Sequence, residues 1–172
     1  TAGTGFQAAC EAFGAMVIPV GPGNIETQIE FLLDFQSTAF CCTASMGLLL
    51  AEEVERRGIR DQINLNKMIY GSERSSDAMR DQIKSLLGLE EMFDIPGMTE
   101  LYGPGTGIEC SAHQGIHYWS DYYLLEIINP DTLEAAAPGE VGEMVVTTLQ
   151  KEAVPLIRYR THDLTSLILE EC

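Results

Sequence analysis

Thr99 and Glu100 stand side by side in FDIPGMTELYG, residues 93–103, just after Pro96-Gly97. A carboxylate is an oxygen ligand of the kind Mg²⁺ prefers, because that ion commonly bridges one or two carboxylates to a phosphate. A neighbouring hydroxyl can donate to a phosphate oxygen. A solvated turn that uses threonine as a cap is the competing reading of the same two residues. A second group lies in IRYRTHDLT, residues 157–165. On an extended chain Arg158 and Arg160 share one face and Tyr159 takes the other. Asp163 can accept from both hydroxyls of a ribose, as the acid of a dinucleotide-binding fold does; an Arg–Asp ion pair that steadies a turn is the alternative. Cys110, His117 and the terminal Cys172 are of zinc-ligand type. Their spacing holds no CxxC, so a buried cysteine and a satisfied histidine compete with a metal site, and His113 competes as a ligand. Ser45, in TASMG at residues 43–47, approaches a nucleophile elbow, but Thr43 stands where its first glycine belongs. None of the three histidines lies in the same half of the chain, so a serine in the first turn of a helix is the simpler reading.

These groups need a frame. The spacing of apolar residues predicts a helix over 5–13 closed by Gly14, and a strand over Ala15–Val20. Asn24 can cap a helix through Phe35, with Glu26 near its positive end. A strand over Ala39–Cys42 precedes a helix that runs to Arg57 and stops at Gly58. Lys67–Tyr70 and Met92–Ile95 read as further strands, separated by a helix that Ser75 or Ser76 caps and Gly88 closes. This alternation implies a parallel sheet with right-handed crossovers. After residue 104 no helical pattern intervenes between Ile116–Trp119, Tyr122–Ile128, Glu143–Thr148 and Leu164–Leu169. The expected fold class is therefore α/β: a parallel βαβ sheet layer over about 1–103, then an antiparallel β-rich part over about 104–172. In such a sheet Thr43–Ser45, Gly71–Glu73 and Pro96–Glu100 open on the carboxyl edge, where ligands bind.

The 172 residues are 45% hydrophobic, enough for a packed core. A net charge of −16 argues against nucleic acid or an anionic membrane surface as a partner. It does not exclude a nucleotide, which needs only a local set of donors. No apolar run has the length of a membrane span, and Thr1–Gly5 does not read as a signal peptide. Five cysteines without framework spacing point to a reducing cytoplasm.

FDIPGMTELYGPGTGIEC, GEVGEMVVTTL and PLIRYRTHDLT, in this order, resemble the phenylacetate–coenzyme A ligase group of the acyl-adenylate-forming superfamily. VIPVGPGN, FCCTAS and GSERSSDAMR extend the resemblance along nearly the whole chain. It implies an enzyme that joins a small carboxylic acid, phenylacetate foremost, to AMP with ATP and Mg²⁺, then passes the acyl group to coenzyme A. By position, Thr99 is then expected at the phosphate, Glu100 at Mg²⁺ and Asp163 at the ribose. Gly71, Ser72 and Glu73 match the turn along the adenine and acyl pocket. Asp94, Pro96, Gly97, Met98 and Arg160 are expected beside the nucleotide. Relatives in the group often continue with a further Cys after the position of Cys172, which makes Cys110, His117 and Cys172 expected ligands of a structural Zn²⁺.

Some positions depart from the family pattern. Pro96 replaces the usual aromatic residue that flanks adenine. His162 replaces the commoner Gly of Tyr-Arg-Thr-Gly-Asp, which suits a backbone that avoids positive φ. Arg74 replaces a frequent Pro. The family's phosphate loop and its C-terminal lid with the adenylation lysine are expected outside residues 1–172, so the chain reads as a piece of a large N-terminal domain that is inactive alone. A bare apolar edge on such a piece would favour a homodimer.

Overall fold

The computed structural model describes residues 2–172, which form two compact units divided between His117 and Tyr118. In the first unit, helix α1 (Ala2–Phe13) ends at Gly14, whose φ is +93°. Ala15–Val20, expected as a strand, is not one. Its β-branched residues favour extended backbone, but a strand also needs a ladder partner. Helix α2 (Ile25–Phe35) is capped by Asn24, which accepts from the Thr27 N–H at 3.2 Å. Strand β1 (Ala39–Thr43) leads into α3 (Ala44–Arg57), capped by Thr43 and stopped by Gly58 at φ +64°. Strand β2 (Lys67–Gly71) leads into α4 (Asp77–Leu87), capped by Ser76 and stopped by Gly88 at φ +59°. Strand β3 (Glu91–Ile95) follows.

The three strands form a parallel sheet in the order β1-β2-β3, with Cys42, Tyr70 and Asp94 level across it. Leu50, Val54, Met68, Ile83 and Leu87 are fully buried in one core between this sheet and the helices. Burying each such side chain is worth about 1.5–3 kcal/mol, which is what holds the strand ends in place. Gly71 ends β2 where the chains run closest: a Cβ there would lie 2.3 Å from the Ile95 carbonyl oxygen.

Beyond β3 the first unit continues as a small hairpin, β4 (Gly97–Met98) and β5 (Gly103–Pro104), then a second pair, β6 (Gly107–Glu109) and β7 (Ile116–Tyr118). The division expected near 103/104 therefore falls later. The β4–β5 ladder spans that point and β6 packs on β3, so residues 104–117 belong with the parallel sheet.

The second unit is an antiparallel sheet of β8 (Tyr123–Ile128), β9 (Gly142–Thr148) and β10 (Tyr159–Thr165), with β9 central. Met144, Val145 and Val146 are all buried, as a central strand requires. The last strand starts earlier than Leu164 because Tyr159 and Arg160 pair with Val146 and Val145. No helix among the described residues is long and apolar enough to cross a membrane.

Candidate functional site

Thr99 and Glu100 begin the four-residue turn of the β4–β5 hairpin, and both are exposed. Leu101, next in the turn, is fully buried and anchors it from below. Its N–H donates to the Met98 carbonyl at 3.1 Å. At the root of the hairpin the Pro96 carbonyl accepts from the Gly105 N–H at 3.0 Å and from the Thr106 N–H and hydroxyl, each at 3.2 Å. Gly97 is obligatory here, since a Cβ would lie 2.5 Å from the Pro104 Cα. The turn is thus a hydroxyl and a carboxylate held on a short, doubly fastened hairpin directly after the carboxyl end of β3. Pro96 costs this arrangement little, because proline has no N–H to leave unsatisfied at an edge.

Glu73 answers a different need. Its carboxylate accepts from the Ser45 N–H and the Ser45 hydroxyl, each at 2.8 Å, so it sits on the N-terminus of α3. Those bonds hold its carboxyl below the usual range, the backbone N–H contributing most. Ser72 beside it is exposed and takes a left-handed φ of +66°. The elbow reading of Ser45 fails on the same geometry. Its hydroxyl faces Glu73 and, at 3.2 Å, Thr43 rather than an imidazole, in the first turn of α3. Cys42 is no nucleophile either, because burial, then Cys41 and Glu73, push its thiol up to about 12.

In the second unit the IRYRTHDLT run is not uniformly extended. Arg158 and His162 have φ of +48° and +65°, and the β9–β10 ladder is irregular between Arg160 and Leu164. His162 therefore does occupy a left-handed position, contrary to the condition on which its replacement of Gly rested. Glu143, 2% exposed, compensates by accepting from the His162 N–H at 3.2 Å. Glu143 also takes the Arg160 Nε at 3.0–3.1 Å and its Nη2 at 2.5 Å. Arg160 is thus engaged by a buried carboxylate, while Arg158 goes to Glu126 at 3.2 Å. Asp163 is exposed at the irregularity, its N–H fastened to the Thr161 hydroxyl at 3.1 Å. Cys110, in the first unit, has its sulfur within 4.8 Å of a His117 ring nitrogen; Cys172 ends the second unit.

Sequence reasoning missed two buried acids. Glu143 is one. Glu109, 5% exposed at the end of β6, is the other. Glu109 binds both Nη atoms of Arg80 at 2.8–2.9 Å and accepts the Asp94 N–H at 3.0 Å, and His113 Nδ1 is 3.2 Å away. Burial would raise its carboxyl, but Arg80, the Asp94 N–H and His113 outweigh it and hold it low. Asp94 is pushed the other way, by burial and then by the Glu109 charge. A glutamate at an inward position of an otherwise apolar strand was the available signal for both acids.

These shifts predict acid sensitivity. Glu73, Glu109 and Glu143 lie below their unfolded values, and Glu53 is held at about 2 by Arg56 and Arg57. Their stabilisation is complete above the ordinary carboxylate value of about 4.3 and is lost as pH falls through the depressed ones. Asp94, with a raised carboxyl, acts in the opposite sense. Denaturant unfolding should show stability falling below pH ~4 and still falling near pH ~2; a flat profile there would contradict these carboxylate contacts.

No protein-family model matches the chain. Curated relatives do. The phenylacetate-coenzyme A ligase of Thermus thermophilus is 41% identical over 174 residues, covering 100% of this chain and 39% of the relative. That of Escherichia coli is 41% identical over 171 residues, covering 98% and 39%. The chain thus spans under two-fifths of the length of these relatives. Among solved structures, a 2-hydroxyisobutyryl-CoA ligase in an open conformation with 2-HIB-AMP and CoA superposes with a TM-score of 0.84 at 24% identity, over 95% of this chain and 37% of that one. A long-chain-fatty-acid-CoA ligase from Archaeoglobus fulgidus gives 0.71 at 16%, over 96% and 39%. These structures show a shared fold, and along its whole length the chain is similar, at 41% identity, to part of curated phenylacetate-coenzyme A ligases.

Proposed function

We propose that this chain is part of an enzyme that activates an aryl or arylacetic acid, phenylacetate foremost, and transfers it to coenzyme A. A carboxylate oxygen of the acid attacks the α-phosphorus of ATP, and pyrophosphate leaves. The coenzyme A thiol then gives up its proton and attacks the acyl carbon, and AMP leaves. The observation that carries this reading is the exposed Thr99-Glu100 pair on a fastened hairpin at the carboxyl end of β3. Thr99 would donate to a phosphate oxygen. Both side chains offer oxygen, which fits Mg²⁺, and Glu100 would hold it. When bound, the ion neutralises phosphate charge. Gly71, Ser72, Asp94, Gly97 and Met98 would line the adenine and acyl pocket, and Asp163 would hold the ribose hydroxyls. Glu73, held by Ser45, and Arg160, held by Glu143, would also contact the nucleotide. Catalysis in this scheme is positioning and charge neutralisation.

Pro96 favours a second reading, a relative that binds nucleotide or acid without turning it over. Stacking of a base on an aromatic ring is worth about 1–3 kcal/mol. Pro96→Tyr in the full-length parent should therefore lower the KM for ATP by roughly tenfold with little change in kcat. An unchanged KM means adenine is held without that face. Thioester formation by the unaltered parent separates the two readings, since a pure binder makes none.

We also propose that Cys110, His117 and Cys172 supply ligands to a structural zinc ion. A thiolate and an imidazole close together suit zinc, and the proximity of Cys110 and His117 supports the site. Stoichiometric zinc in the purified parent, lost in Cys110→Ser with a fall in Tm, is the expected result. Zinc-free parent of unchanged stability would refute it.

A further inference from the structure

Among the described residues the outer edge of β3 has no neighbouring strand in the parallel sheet, because the order is β1-β2-β3. Three backbone groups along that edge nevertheless have partners. The Met92 carbonyl accepts from Arg80 Nη2 at 3.3 Å. The Asp94 N–H donates to Glu109 Oε2 at 3.0 Å. The Pro96 carbonyl takes the three donors of Gly105 and Thr106. A side-chain ion pair therefore fills two rungs where a fourth strand would stand, immediately before the hairpin that carries Thr99 and Glu100. Arg80 is itself set by α4, with its guanidinium carbon 5.5 Å from the centre of the Tyr70 ring. His113 closes the cluster, its ring 5.8 Å from that of Phe93.

We infer that Glu109, backed by Arg80, is a positioning residue for the Thr99-Glu100 turn. The carboxylate fixes the height of Asp94 along the sheet, and through two further residues the root of the hairpin at Pro96. Without it Asp94 loses the acceptor of its N–H, Arg80 loses its counter-charge, and the root of the hairpin keeps only its bonds to Gly105 and Thr106. A displacement of about 1 Å at a reacting group can cost 10²-fold in rate. This inference rests on the proposed adenylation, but its geometric part does not.

The test uses the full-length parent with Glu109→Gln and, as a milder variant that keeps the charge, Arg80→Lys. Two readouts are taken. Hydrogen exchange of the segment 93–103 is compared with that of β1 and β2. Arylacetate-dependent ATP–pyrophosphate exchange is compared with thioester formation from supplied arylacetyl-adenylate and coenzyme A. Positioning predicts faster hydrogen exchange confined to 93–103, and ATP–pyrophosphate exchange lowered roughly 10- to 100-fold. Thioester formation from the supplied adenylate should stay within about twofold of the unaltered parent, with Arg80→Lys showing the same pattern more weakly. Hydrogen exchange that rises throughout the sheet, or two half-reactions that fall together, would overturn the inference and leave Glu109 a fold-stabilising acid. If the unaltered parent shows no arylacetate-dependent reaction, the adenylation reading fails by itself. The hydrogen-exchange pattern still decides whether Glu109 sets the turn.

Discussion

Glu100→Gln, introduced in the full-length parent, is expected to slow acyl-adenylate formation by about 10²- to 10³-fold, the usual consequence of losing one preorganised electrostatic group. Glu100 is exposed on its turn, so the fold should survive, which thermal unfolding of the variant checks. The amide keeps the shape and removes the charge. If Glu100 is the proposed Mg²⁺ ligand, the concentration of Mg²⁺ that half-saturates the reaction rises as well. Thioester formation from supplied adenylate, which moves no pyrophosphate, should be much less affected. Arylacetate-dependent ATP–pyrophosphate exchange across a Mg²⁺ series checks this. A variant with the parental rate and Mg²⁺ dependence would return Thr99-Glu100 to the role of a solvated turn.

The second large effect is expected at Asp163. A carboxylate that accepts from two ribose hydroxyls makes two charge-assisted hydrogen bonds, each worth about 1.5–3 kcal/mol. Asp163→Ala should then raise the KM for ATP by roughly 100-fold or more. The unaltered enzyme should discriminate against 2′,3′-dideoxy-ATP by a similar factor, and the variant should not. That paired comparison separates a contact with the ribose from a general disturbance of β10, which would leave the discrimination intact. Asp163 is exposed and its backbone is fastened by Thr161, so a folding defect is not expected from the substitution itself.

The helices of the first unit were legible in the sequence because their ends carry their own signals. Asn24 and Ser76 cap, and Gly14, Gly58 and Gly88 stop, each as its chemistry requires, whereas the Thr43 cap of α3 showed only in the structure. Strands β1, β2 and β3 were legible as short apolar runs between those helices. Ala15–Val20 looked the same and is not a strand, because local composition cannot report whether a ladder partner exists. The β4–β5 hairpin was hidden for a related reason. Its strands are two residues each, too short for any alternation to show, and only the Gly and Pro punctuation marked a turn.

For the candidate site, the exposed residues were readable and their supports were not. Thr99, Glu100 and Asp163 stand out as polar groups in turns. Glu109 and Glu143 are buried by contacts with Arg80 and Arg160, 29 and 17 positions away in the chain. Spacing along a sequence does not show such pairings. His162 shows the reverse limit. The reading turned on the sign of one backbone angle, and that sign is fixed by Glu143 and the irregular β9–β10 ladder rather than by the histidine.

The most direct measurement gives the purified full-length parent ATP, Mg²⁺, phenylacetate and coenzyme A, and follows the products. The expected result is phenylacetyl-coenzyme A formed in step with AMP and pyrophosphate, and ATP–pyrophosphate exchange that needs the acid but not coenzyme A. Release of ADP, or an absence of acid-dependent exchange across a panel of aryl and arylacetic acids, would contradict the proposal that this chain builds an adenylating site.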